Sequence, residues 1–117
     1  MKSYKIGTLI GKTCMTPDDG RKVYELTYPE LRAEHAVELD FAGVEIFASP
    51  FFNFAIGQLL RDISPETLNR LLKFSHLNSV GNQILKQVIK NSKRYYAADD
   101  ATRNAINEIV SQQVGNV

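Results

Sequence analysis

The sequence predicts a small α/β domain: a short mixed sheet with helices packed mainly on one of its faces. Three observations carry that reading. Short period-two apolar runs alternate with longer stretches of helical spacing. A threonine or serine stands next to proline at three expected helix starts, Thr16-Pro17, Ser49-Pro50 and Ser64-Pro65. The interval between the first apolar run and the central one is long enough for a crossover, which admits parallel pairing.

Each element follows in order. Tyr4, Ile6, Thr8 and Ile10 recur at period two, which predicts a first strand over residues 3–10 and a loop over 11–15. Thr16 as cap, Pro17 in the first helical position and Asp18-Asp19 facing the helix dipole predict a helix to about residue 28. Val23 and Leu26 are its expected inward residues, and Pro29 is expected to end or kink it. Val37, Leu39 and Phe41 on one face predict a central strand, and residues 44–47 a second segment.

A helix over about 50–62 follows, capped by Ser49, and then a short helix capped by Ser64. Residues 71–77 read as a further strand with Leu72 and Phe74 on one side. Val80, Ile84, Val88 and Tyr95, widened by Leu85 and Ile89, give a long amphipathic helix over 80–96. Asp99-Asp100 reads as the cap of a last helix carrying Ile106, Ile109, Val110 and Val114. No repeat or linker interrupts the chain, so residues 1–117 are expected to form one domain.

Composition narrows the function classes. The 117 residues are 44% hydrophobic and 23% charged, an ordinary globular balance. A formal net charge of +1 supplies no global field for nucleic acid or an anionic membrane. The single cysteine, Cys14, excludes an internal disulfide and a thiolate metal cluster. The opening residues lack the apolar run of a signal peptide, and no apolar stretch approaches the roughly 20 residues of a membrane span. A cytoplasmic protein without cofactor or metal is the expectation.

Candidate chemistry is sparse. Gly11-Lys12-Thr13 ends like a phosphate loop, but that motif needs a glycine where Ile6 stands, and its helix would start at Pro17, displaced from the lysine. No nucleoside triphosphate binding is expected. Cys14, His35 and His76 show no ligand or catalytic spacing, so no catalytic residue is assigned. Asp40 is the best candidate for a perturbed carboxylate. Alternation turns it away from the apolar face, which favours a structural role in the turn that follows.

Lys86, Lys90, Lys93 and Arg94 form a basic stripe followed by Tyr95-Tyr96. That pattern suits either a solvated helix face or a nucleic-acid backbone with stacked bases. On the helix after Pro50, Phe51, Phe52, Ala55, Ile56, Leu59 and Leu60 share one half of the circumference. Phe54 falls among Asn53, Gln58 and Arg61 in the polar half and is expected to be solvated, with the make-up of an interface anchor.

Leu39-Asp40-Phe41 and Gly43-Val44, with the phenylalanine-rich stretch Phe51-Phe52-Asn53-Phe54-Ala55, resemble the core of the STAS-like family, relatives of the anti-sigma-factor antagonists. Leu72-Lys73-Phe74, Val88-Ile89 and Tyr95-Tyr96 are similar to that family's later strand and helix. The resemblance implies a non-enzymatic regulatory module that binds a protein partner, a histidine-kinase-type ATPase or an anti-sigma-like factor, or a second copy of itself. The antagonists place D-S-S/T-G after the core strand and are phosphorylated on the second hydroxyl; here the chain reads Ala48-Ser49-Pro50-Phe51. Pro50 accepts no phosphate, and Ser49 alone remains of the two hydroxyls. Ser49, Asn53, Phe54 and Arg61 are the expected partner-binding residues. The reading from a different class is a small nucleic-acid-binding protein using the basic face of the 80–96 helix.

Overall fold

The computed structural model describes residues 1–97. The elements in chain order are β1 (Lys2–Lys5), α1 (Ile6–Leu9), β2 (Thr13–Cys14), α2 (Pro17–Arg32), β3 (Val37–Asp40), β4 (Ile46–Phe47), α3 (Ser49–Ala55), a 3-10 helix (Gly57–Arg61), α4 (Pro65–Leu71), β5 (Leu72–Ser75) and α5 (Ser79–Ala97). The expected last helix lies outside the described residues.

The domain is the small α/β architecture that the sequence predicts. Its main sheet runs β1-β3-β5, and β2-β4 form a separate two-stranded pair. Every pairing among the described residues is parallel, with no antiparallel member. Register aligns Tyr4 with Leu39 and Leu39 with Phe74, while Lys5, Asp40 and Ser75 align one step on. Side chains alternate between the faces of a strand. Tyr4, Val37, Leu39, Leu72 and Phe74 therefore face the helices, and Ser3, Lys5, Glu38, Asp40, Lys73 and Ser75 share the polar face. Val37 and Leu39 are fully buried; Glu38 and Asp40 are not.

Phe41, Phe47, Phe51 and Phe52 form the aromatic centre of the core. Phe52 lies 5.2 Å from Phe51, 5.6 Å from Phe47 and 6.1 Å from Phe41, centroid to centroid. Phe51, Phe52, Ala55, Ile56, Leu59 and Leu60 are all buried, as their spacing predicts.

Local physics explains the departures from expectation. Residues 6–9 are helical rather than strand, with the Ile10 N–H donating to the Ile6 carbonyl at 2.8 Å. Ile6 and Ile10 are four apart, so a helical turn and a strand alternation bring them to one face equally well. Thr13 and Cys14 belong to a strand, not a loop, because β4 gives them a parallel partner. Strand structure in the second central segment is limited to β4, since Phe41 to Val44 makes a tight turn. Gly43 occupies its third position at φ 84°, where a side chain would be strained.

Helix α2 is capped by the Thr16 hydroxyl, which accepts from the Asp19 N–H at 3.1 Å. It continues through Pro29 to Arg32. Its buried stripe is Gly20, Val23, Thr27 and Leu31, so Leu26 is exposed rather than inward. The buried Thr27 hydroxyl is satisfied by the Val23 carbonyl at 3.0 Å.

The expected 50–62 helix breaks in two at Ile56, where α-helix gives way to 3-10 turns. Ser49 is its first helical residue and caps nothing; Ala48 is the N-cap. Ser64 does cap α4, accepting from the Thr67 N–H at 3.2 Å. Helix α5 buries Gly81, Leu85 and Val88, while Val80 is exposed.

Leu26 separates this core from the one the spacing predicts, and Phe52 is the buried reference. Phe52→Ala should cost about 3–5 kcal/mol in urea unfolding, as for a fully buried aromatic. Leu26→Ala should cost less than about 1 kcal/mol, as for a surface position.

Candidate partner-binding surface

The four residues expected to contact a partner do not stand in one row. Ser49 and Asn53 are exposed, one turn apart on α3. Arg61 is also exposed but follows the break at Ile56, so the wheel that placed Phe54 beside Gln58 and Arg61 does not hold.

Phe54 is half-buried rather than solvated. Its cover comes from α2. A Cβ built on Gly20 would overlap the Phe51 carbonyl oxygen and stand 2.9 Å from the Cβ of Phe54, so the two backbones are in direct contact. That approach lays the Arg21 guanidinium over the Phe54 ring, 5.3 Å from its centroid. Helix α2 thus supplies functional candidates that the sequence reading missed. Arg21, Tyr24, Tyr28 and Arg32 recur at intervals of three and four, and they lie on one flank of the helix. Tyr24 and Tyr28 stack at 5.2 Å, and Arg32 lies over Tyr28 at 6.0 Å.

Arg61 joins this seam electrostatically. Its Nε donates to Asp62 at 3.3 Å, and Asp62, with Tyr24 and Tyr96 nearby, stabilises the guanidinium charge. The Arg32 Nη1 donates to the Asp62 carbonyl oxygen at 3.5 Å, tying the end of α2 to the end of the 3-10 helix. Tyr96 is half-buried at the other side, and its burial raises the phenol above its usual range. Phe54 and Arg61, which the α-helical wheel set side by side for the wrong reason, share a surface built around α2.

The basic stripe of α5 is a different surface. Lys86, Lys90, Lys93 and Arg94 are exposed and make no ion pair among the described residues. Tyr95 and Tyr96, however, pack edge to face on each other at 4.9 Å and are both half-buried.

The residues considered for catalysis are dispersed. Cys14 is buried, and burial, with Asp19 nearby, pushes its thiol up to about 12. That holds it as an inert thiol rather than a nucleophile. His35 is exposed and meets Glu30 at 2.9 Å. Lys12 and Thr13 are exposed, and Thr13 opens a strand instead of a helix, against the geometry of a phosphate loop.

Asp40 does what its alternation suggests. At the carboxyl end of β3 its Oδ1 accepts from the Ala42 N–H at 2.9 Å and from Nδ1–H of His76 at 2.8 Å. His76 has a left-handed backbone, φ 57°, directly after β5. The pair ties the ends of two parallel strands. The Ala42 amide, then His76, then the charge of Lys5 hold the Asp40 carboxyl below its ordinary value.

A family model described as a STAS-like domain of unknown function (DUF4325) matches residues 19–82. The matched stretch runs from the first turn of α2 to the first turn of α5 and contains the α2 flank, Phe54 and Arg61. No curated protein and no solved structure matches the chain. No helix among the described residues is long and apolar enough to cross a membrane.

The Asp40 tie has a pH signature. A carboxyl lowered in the folded state adds stability that is present above its unfolded value, about 4, and is lost as pH falls through the folded one. Asp40→Asn keeps an oxygen for Ala42 and removes the charge. Unfolding followed from pH 7 to pH 2 should show the variant less stable at neutral pH, with the gap closing below about pH 4. A gap that stays constant to pH 2 would show that the charge contributes nothing.

Proposed function

We propose a role for a chain that belongs to the family of STAS-like domains of unknown function: a non-enzymatic, regulatory protein-interaction module. Its partner contact runs through the turn and helices at 48–61 and the adjoining flank of α2. The observation that carries this reading is Phe54 held half-buried under Arg21, in the same seam as Arg61. Tyrosine, phenylalanine and arginine are the residues that interface centres favour. A surface that rests its guanidiniums on aromatic rings loses little further side-chain entropy when it binds.

Ser49 and Asn53 form the outer rim of the contact on α3. With Ala48 and Pro50 flanking Ser49, the module works by occupancy rather than by the phosphate switch of the antagonists. The family resemblance directs the search for its partner to histidine-kinase-type ATPases and anti-sigma-like factors, with self-association as the second possibility. A cytoplasmic setting accompanies that role.

Capture from lysate with the full chain, followed by direct titration of the purified partner, tests the reading. Arg61→Ala should weaken binding at least tenfold while leaving the melting temperature within about 2 °C, since the residue is exposed. Phe54→Ala should weaken binding similarly and cost about 1–2 kcal/mol of stability, as for a half-buried aromatic. The intact mass after incubation with partner and ATP should show no phosphate. Affinity indifferent to both substitutions would refute the site. Salt-dependent DNA binding abolished by Lys86→Ala and Lys90→Ala would replace the reading with a nucleic-acid one.

A further inference from the structure

The α2 flank leaves two guanidiniums poised and unspent. Arg61 is neutralised by Asp62. Arg21 and Arg32 make no ion pair among the described residues, and Arg32 reaches only a carbonyl oxygen. Each is laid against an aromatic ring, Phe54 and Tyr28 respectively. The ring beneath each guanidinium restrains where it sits, and N–H donors remain on both for a carboxylate to take in bidentate fashion. The Tyr24 and Tyr28 rings, half-buried and stacked on each other, lie between the two cations along the helix.

We propose that this flank binds an acidic segment of the partner protein, with one carboxylate on Arg21, a second on Arg32 and an apolar side chain over the tyrosine pair between them. The proposal rests on the interaction reading above and adds the chemistry of what is bound. The arginines are eleven positions apart, about 16 Å along a helix. An extended chain advances about 3.3 Å per residue, so carboxylates roughly five positions apart would meet both. A nucleic-acid strand carries a charge every ~3.4 Å, which would set several phosphates over the tyrosine pair and beside the exposed Glu25, one turn after Arg21. The sparse spacing of the cations therefore fits an acidic peptide better than a nucleic-acid backbone. Because the whole chain carries a net charge of only +1, the attraction is local to this seam.

The probe is a blocked eight-residue peptide with glutamates at positions 2 and 7 and a phenylalanine and a leucine between them, titrated into the full ¹⁵N-labelled chain. Amide shifts should move along residues 21–32 and 54–61, and a peptide with both glutamates changed to glutamine should bind at least tenfold more weakly. The double variant Arg21→Lys, Arg32→Lys keeps the charge and loses the fork, and should bind at least fivefold more weakly with an otherwise unchanged spectrum. An eight-nucleotide oligo-dT should leave the seam unmoved. Shifts centred on the lysines of α5, no shifts at all, equal binding of the glutamine peptide, or undiminished binding by the lysine variant would each overturn the proposal. Oligo-dT binding on the seam would overturn it in favour of a phosphate ligand. If the peptide fails while a captured partner still depends on Phe54 and Arg61, the acidic chemistry falls and the interaction reading stands.

Discussion

Helix α2 reaches α3 through Gly20, and the rest of the surface depends on that approach. A side chain there would overlap the Phe51 carbonyl oxygen and crowd Ala55 N at 3.1 Å. With the backbones this close, Val23 and Thr27 bury on the same side of α2, and Phe51 and Phe52 enter the core from α3. The same contact brings Arg21 over Phe54. A glycine costs a helix interior about 1 kcal/mol relative to alanine, and the close approach of α3 gives the missing Cβ a tertiary role here. Core packing and candidate interface are two consequences of one steric condition.

The sheet behind these helices has a division of labour. Its apolar face supports α2 and α3, and its polar face ends in Lys5, Asp40 and Ser75 at one register. Asp40 closes the turn after β3 and holds His76 after β5, which links the two strand ends by hydrogen bonds. The core residues of α3 pack against this end of the sheet through Phe52 and Phe41, and α2 packs on α3 in turn. The proposed function would draw on that packing, because arginines held against aromatic rings lose less freedom on binding.

Much of the fold was legible in the sequence, for identifiable reasons. Val37, Leu39 and Phe41 declare a buried strand by alternation, and all three are fully buried. Thr16 and Ser64 declare helix starts by chemistry that does not depend on tertiary context, and both cap their helices. Ser49 carried the same signal but lies one residue inside its helix, because the extended residue before it, Ala48, is fixed by pairing with Cys14 at 3.0 Å. Ile6 and Ile10 satisfied two periodicities at once, and only the end of β1 decided between them. The candidate contacts were drawn from a helical wheel, and their arrangement in the structure differs from it. Phe54 and Arg61 were named from a continuous wheel that the 3-10 helix interrupts. Arg21, Tyr24, Tyr28 and Arg32 were present as a spacing, but such a stripe on a helix is ordinarily a solvated face. Its meaning comes from Phe54, thirty-three positions beyond Arg21 in the chain, which no local pattern connects to it.

Gly20→Ala tests the central steric claim most directly, because the two accounts differ in sign. If α2 and α3 meet as described, the added methyl must force them apart. The variant should then lose about 1–3 kcal/mol in urea unfolding, as for overpacking, and the ring-current shift of Phe54 on the Arg21 side chain should shrink. If the helices do not meet there, alanine should stabilise the protein by about 0.5–1 kcal/mol through helix propensity and the entropy of the unfolded chain. A stabilised variant with the Arg21 resonances unmoved would contradict the account.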